Sequence, residues 1–129
     1  FPTRRSSDLP PISGGQRLVL LRLAEGPIFF ASFARGLPIH DATGRERTVS
    51  GLFAALSFDE GETWPVRRLV TDDGPSREVE GGGNTGRFLL SPTSAEPRGY
   101  LAVCQGANGL IHLISSRNHY AFNVAWLKR

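Results

Sequence analysis

Apolar side chains fall in short runs separated by glycine, proline and polar residues, and no 3.6-residue apolar period lasts beyond about one helical turn. The runs predict strands at 17–23 and 28–33, joined by the turn Ala24-Glu25-Gly26-Pro27. Two more are expected at 51–57 and 65–70, on either side of a polar stretch. Residues 35–50, with Gly36 and Gly44, read as a long polar loop. Residues 71–99 read as a longer connection around Gly81-Gly82-Gly83, with one short strand at 88–90. Loops of that length are usually functional or disordered. Three further strands are expected at 100–105, 110–115 and 121–127, with turns at 106–109 and 116–120. No helix is expected.

The polar stretch between the third and fourth runs is Ser57-Phe58-Asp59-Glu60-Gly61-Glu62-Thr63-Trp64. Asp59 is suited to accept backbone N–H bonds two residues on, with the Ser57 and Thr63 hydroxyls adding to the turn. Gly61 supplies a positive φ, and Trp64 offers a large apolar face at the start of the next strand. The pattern Ser-x-Asp-x-Gly-x-Thr-Trp resembles the Asp box, or BNR repeat, of the sialidase (neuraminidase) superfamily. Gly99-Tyr100-Leu101-Ala102-Val103-Cys104-Gln105 and Gly109-Leu110-Ile111-His112-Leu113-Ile114 look like the strand pair that ends many sialidase-like propellers. The resemblance spans about 17–127 and implies an all-β fold, a partial β-propeller of about two blades of four-stranded antiparallel sheet. Blade one would be 16–71, the connecting loop 72–99, and an incomplete second blade, short of one strand, 100–129.

Composition narrows the class. With 129 residues, 40% hydrophobic and 21% charged, the chain fits a globular domain with a modest core. Fifteen glycines and nine prolines favour a turn-rich β chain. No apolar run is long enough to cross a bilayer. Residues 1–9 resemble the translation of a sequencing adapter and are expected to be a non-native scar, with 10–15 a linker. Without Arg4, Arg5 and Asp8, 13 basic side chains face 11 acidic ones, and the net charge falls from +3 to +2. No basic stripe argues for nucleic acid. The remainder is expected to be a C-terminal fragment whose first partners are the missing propeller blades of its own parent chain. Cys104 is the single cysteine, so no disulfide forms within the chain, and its apolar run predicts a buried structural thiol. The resemblance alone suggests a secreted or periplasmic setting.

Candidate chemistry follows from blade topology. In a four-stranded meander the 1–2 and 3–4 turns share one face, and the 2–3 loops and blade connections share the other. The expected loops 35–50, 71–99 and 116–120 gather on that second face with Arg47, Arg77, Arg87, Arg98, Arg117, Asn118 and His119. Guanidinium forks bind a planar carboxylate bidentately. The resemblance implies that these residues bind a glycan substrate or ligand, terminal sialic acid or a related acidic glycan. It also implies that Tyr100 is the nucleophile, a neutral phenol attacking an anionic anomeric centre without charge repulsion.

Two positions depart from the family pattern. The glutamate expected fifteen residues after the tyrosine is Ser115, and the arginine expected before the box falls in Val49-Ser50-Gly51, with Arg47 the nearest candidate. Asp59 and Glu62 could be a carboxylate pair, but the family places the box away from its active site. His112 faces opposite to Ile111 and Leu113 on its strand and reads as a structural histidine. His40-Asp41 and His119 lack zinc spacing, and the glycine run opens no helix to cradle a phosphate. No cofactor and no metal are expected. The function expected is the C-terminal part of a sialidase-like glycoside hydrolase, inactive as this fragment. The alternative is a non-catalytic propeller that binds glycan or protein.

Overall fold

The computed structural model describes residues 17–40, 43–71, 76–80, 86–95, 100–115 and 118–129. The expected linker and the 81–83 glycine run lie outside the described residues. Among those described, the chain is all-β with one short helical turn. Its elements are β1 (Leu18–Arg22), β2 (Ile28–His40), β3 (Glu46–Ser57), β4 (Val66–Leu69), β5 (Arg77–Glu80), β6 (Arg87–Leu90), β7 (Leu101–Gln105), β8 (Ile111–Ser115), β9 (Asn118–Phe122) and α1 (Val124–Leu127). They form antiparallel sheets in the orders β1-β2-β3-β4, β5-β6 and β7-β8-β9. No helix among the described residues is long and apolar enough to cross a membrane.

Alternation along β2 and β3 gives the first sheet two apolar faces. Phe29, Ala31, Phe33, Leu52, Ala54 and Leu56 point to one side and pack with Ile111, Leu113 and Phe122 of the β7-β8-β9 sheet and with Leu127 of α1. Phe29 and Phe122 meet across this interface with ring centroids 5.9 Å apart. Sheets stacked face to face bury their inner faces in this way. Phe30, Ala34, Phe53, Ala55, Trp64 and Leu69 point to the other side.

The expected loop at 35–50 is instead a hairpin arm. β2 and β3 stay paired from Leu37↔Val49 to His40↔Glu46, past a bulge between Ala34 and Leu37. The extra residue reverses the side-chain phase. Leu37 and Ile39 therefore share a face with Phe30 and Ala34, although their positions differ in parity. Gly36 takes the left-handed conformation the bulge needs, at φ 66°. Pro38 is tolerated because β1 ends opposite Ser32 and, among the described residues, no strand pairs with that edge of the arm.

The arm bends back over the second face. Arg47, opposite Ile39, and Leu56, opposite Val66, would be about 30 Å apart on a straight strand. Yet Ile39 and His40 line the same cleft as Trp64, Pro65 and Val66, a space of about 580 Å³. The second face is thus covered at least in part by Leu37, Ile39 and Val49 of the chain's own arm.

The third expected strand of the last sheet, 121–127, divides in two. β9 ends at Phe122, and Asn123 caps α1, its Oδ1 accepting the Trp126 N–H at 2.9 Å. Leu127 drops into the core at 2% exposure, and the Arg68 guanidinium lies 3.9 Å over the Trp126 ring. A helix of one turn leaves no period to read, and so the sequence reading missed it.

Candidate functional site

The box folds as a turn that satisfies itself. Ser57 Oγ donates to Asp59 Oδ1 at 2.9 Å and accepts the Gly61 N–H at 2.8 Å. Thr63 donates its N–H to Asp59 Oδ1 at 2.8 Å and its hydroxyl to Oδ2 at 2.6 Å. The Thr63 side-chain and backbone bonds, with a further bond from Ser57, hold the Asp59 carboxyl below its ordinary range. Both its oxygens are therefore engaged and the group is fixed as a carboxylate, unfit to serve as a general acid. Gly61 has φ 89°, as the turn requires, and Glu60 before it is also left-handed at φ 60°. Trp64 is 5% exposed, donates Nε1–H to the Gly61 carbonyl at 3.1 Å, and packs on Phe30 with centroids 5.7 Å apart.

Three turns are tied together at this end. Glu60 pairs with Arg22, whose guanidinium also donates to the Gly26 carbonyl at 2.7 Å. The Arg22 hydrogen bond lowers the pKa of the Glu60 carboxyl. Gln105 accepts the Ala24 N–H at 2.7 Å and donates to Glu25 at 2.8 Å and to the Gly109 carbonyl at 3.1 Å. That side-chain bond lowers the pKa of Glu25. The first and third sheets are thereby linked by polar bonds beside their shared core.

The expected glycan-binding residues are distributed over several surfaces. Tyr100 is 73% exposed, immediately before β7. Arg47 lies on the arm, in phase with Val49 and Phe53, on the side of the first sheet opposite the one that meets β7-β8-β9. The first sheet therefore stands between the arm and the sheet that Tyr100 leads into. Arg87 is on the outer side of the β5-β6 hairpin, where it pairs with Glu78 at 2.9 Å and approaches Glu80 at 3.8 Å, whereas Arg77, though exposed, lies on the other face opposite the buried Leu90. Arg98 and Arg117 lie outside the described residues.

Asn118 and His119, adjacent in β9, point to opposite faces. Asn118 faces the core beside its register partner Ser115, and Asn118 Nδ2 and Ser115 Oγ are buried without a hydrogen-bond partner among the described residues. His119 Nε2 is 3.0 Å from His112 Nδ1 on the outer face. The rings are within 17° of parallel with centroids 5.2 Å apart, so they meet edge to edge, one imidazole donating and the other accepting. His112 does face opposite to the buried Ile111 and Leu113. No three potential metal ligands converge among the described residues.

Cys104 overturns its expectation. It is exposed, because β7 alternates and only Leu101, Val103 and Gln105 turn inward. Gly51, in the stretch where the resemblance looks for an arginine, has φ 144°, and a Cβ there would lie 2.6 Å from Thr71 Oγ1. That hydroxyl accepts the Leu52 N–H at 3.2 Å, so the space is already used. The cleft under the arm went unseen in the sequence. The signal that could have found it is the alternation Leu37-Pro38-Ile39, resuming out of phase after Gly36. A scan of family models and searches of curated proteins and of solved structures give no match to the chain.

Proposed function

We propose that the chain is a C-terminal part of a sialidase-like β-propeller whose parent hydrolyses glycosides of terminal sialic acid or a related acidic glycan. Alone, it acts as scaffold. The observation that carries this reading is the box turn, in which Ser57, Asp59, Gly61, Thr63 and Trp64 all engage as the motif's chemistry requires. Further support comes from the stacking of the four-stranded sheet on β7-β8-β9, as neighbouring blades stack. Residues 16–71 would be one blade and 100–129 part of the next. Tyr100, open to solvent, would attack the anomeric carbon, while arginines on the loops of that end would hold the substrate carboxylate.

A second reading, a non-catalytic propeller that binds glycan or protein, has specific support. Gly51 admits no side chain without displacing the Thr71 hydroxyl, and Ser115 is buried where the family pattern has a glutamate. The deciding experiment replaces Tyr100 by Phe in the longer protein and follows fluorogenic sialoside turnover together with melting temperature. A fall of orders of magnitude at unchanged melting temperature is expected if the phenol is the nucleophile. Full activity removes Tyr100 from the mechanism, and a parent without turnover leaves the binding module. The purified 129-residue chain is expected to show no turnover.

A further inference from the structure

The cleft between the arm and the box exit has the make-up of a ligand site, and its features do not depend on the propeller reading. Its space of about 580 Å³ falls in the range of small-molecule pockets. Pro38 and Ile39 contribute apolar wall from the arm, and Trp64, Pro65 and Val66 contribute it from the first sheet. Ile39 and Trp64 are each 5% exposed and already fixed by core packing, so little side-chain freedom would be lost on binding.

The charged side chains lining the cleft are mostly of one sign. Arg67, Lys128 and Arg129 line it together with Glu46, which has His40 at 3.7 Å, and the Lys128 ammonium lies 5.7 Å from the Phe58 ring at the rim. Arg67 Nε donates to the Trp64 carbonyl at 3.3 Å, which anchors the guanidinium at the aromatic wall. A cation fixed beside an apolar wall suits a ligand with an anionic group on a ring system.

We infer that this cleft binds a small anion with an apolar body, a carboxylate or sulfonate carried on a ring system, with Arg67 and Lys128 holding the charge. The bend of the arm creates the site, since a straight arm would carry Ile39 far from Trp64.

Anilinonaphthalene sulfonate serves as the probe and neutral phenylnaphthylamine as its uncharged counterpart, each titrated into the folded chain by fluorescence and calorimetry. One sulfonate probe is expected per chain, with the neutral compound bound at least about tenfold more weakly. Arg67→Gln with Lys128→Gln should weaken the sulfonate about tenfold or more while leaving the neutral compound unchanged. Affinity for the sulfonate should also fall as salt rises, because screening shortens the reach of the cationic rim. Equal affinity for both probes, no loss in the double variant, or indifference to salt would each overturn the proposal. The salt series uses the unmodified chain, so indifference to salt overturns the proposal even if the double variant unfolds.

Discussion

The two faces of the first sheet are closed by different means. One packs on a sheet whose strands begin more than thirty residues further along the chain, through Ile111, Leu113 and Phe122. The other is covered by Leu37, Ile39 and Val49, continuations of the same two strands that form the face. The first closure needs long-range assembly, and its loop-closure entropy must be met before any contact forms. The second comes with the hairpin itself, provided the bulge bends it. A sheet with apolar residues on both sides thus need not imply two neighbouring sheets.

The contrast can be broken from either side. Trp64→Ala should cost about 3–5 kcal/mol and Leu113→Ala about 2–5 kcal/mol, each read from denaturant midpoints. Their hydrogen-exchange patterns should differ. Loss of Trp64 should speed exchange in the arm first, and loss of Leu113 should speed it in β7–β9 first. Identical patterns would mean that the two faces form one cooperative unit.

Gly51→Ala should cost about 2–4 kcal/mol, because backbone strain adds to overlap with the Thr71 hydroxyl. Gly36→Ala would meet only the Thr48 methyl, at an ordinary 3.9 Å, and should cost only the backbone strain, about 1–2 kcal/mol. The Gly36 variant should loosen the arm without disturbing β7–β9. If exchange in the arm stays unchanged, the bulge glycine is not what holds the bend.

The smallest effect concerns acid. Asp59, Glu60 and Glu25 have folded pKa values below their ordinary 3.8, 4.5 and 4.5, so the unfolded chain takes up protons first as pH falls. Their stabilisation is complete above those ordinary values and is lost as pH drops through the lowered folded ones. Urea midpoints should therefore decline below about pH 5, and Asp59→Asn should flatten the lower part of that decline. An unchanged slope in that variant would move the effect to other carboxylates. All three groups sit at the box end, so the tie between the first and third sheets should weaken before the arm does.

Legibility followed the length and phase of each signal. The strands at 17–23, 28–33, 51–57 and 65–70 were readable because alternation or a β-rich run ended at turn residues, and the box marked its own hairpin. The arm was unreadable because its apolar positions restart out of phase after the bulge, and the resulting mixture reads as polar loop. Leu101-Ala102-Val103-Cys104 looked uniformly apolar, yet small residues on one side of β7 let that side stay in solvent. The candidate site was less legible still, because proximity of Arg47 to Tyr100 was inferred from a loop that is a folded arm.

The bulge also sets a rule for how this stretch can drift in length. Removing one residue between Ala34 and Leu37 would restore a regular ladder in which Leu37, now two places after Ala34, stays on the face of Phe30 and Phe53, so the inward pattern is kept while the bulge and its bend are lost. Adding one residue would demand a wider bulge to keep Leu37 opposite Val49. Paired changes at the tip beyond His40 and Glu46 would leave every inward side chain inward. Descendants of this chain should therefore vary in length at the tip, and loss of the single bulged residue should straighten the arm and open the cleft without turning its apolar side to solvent.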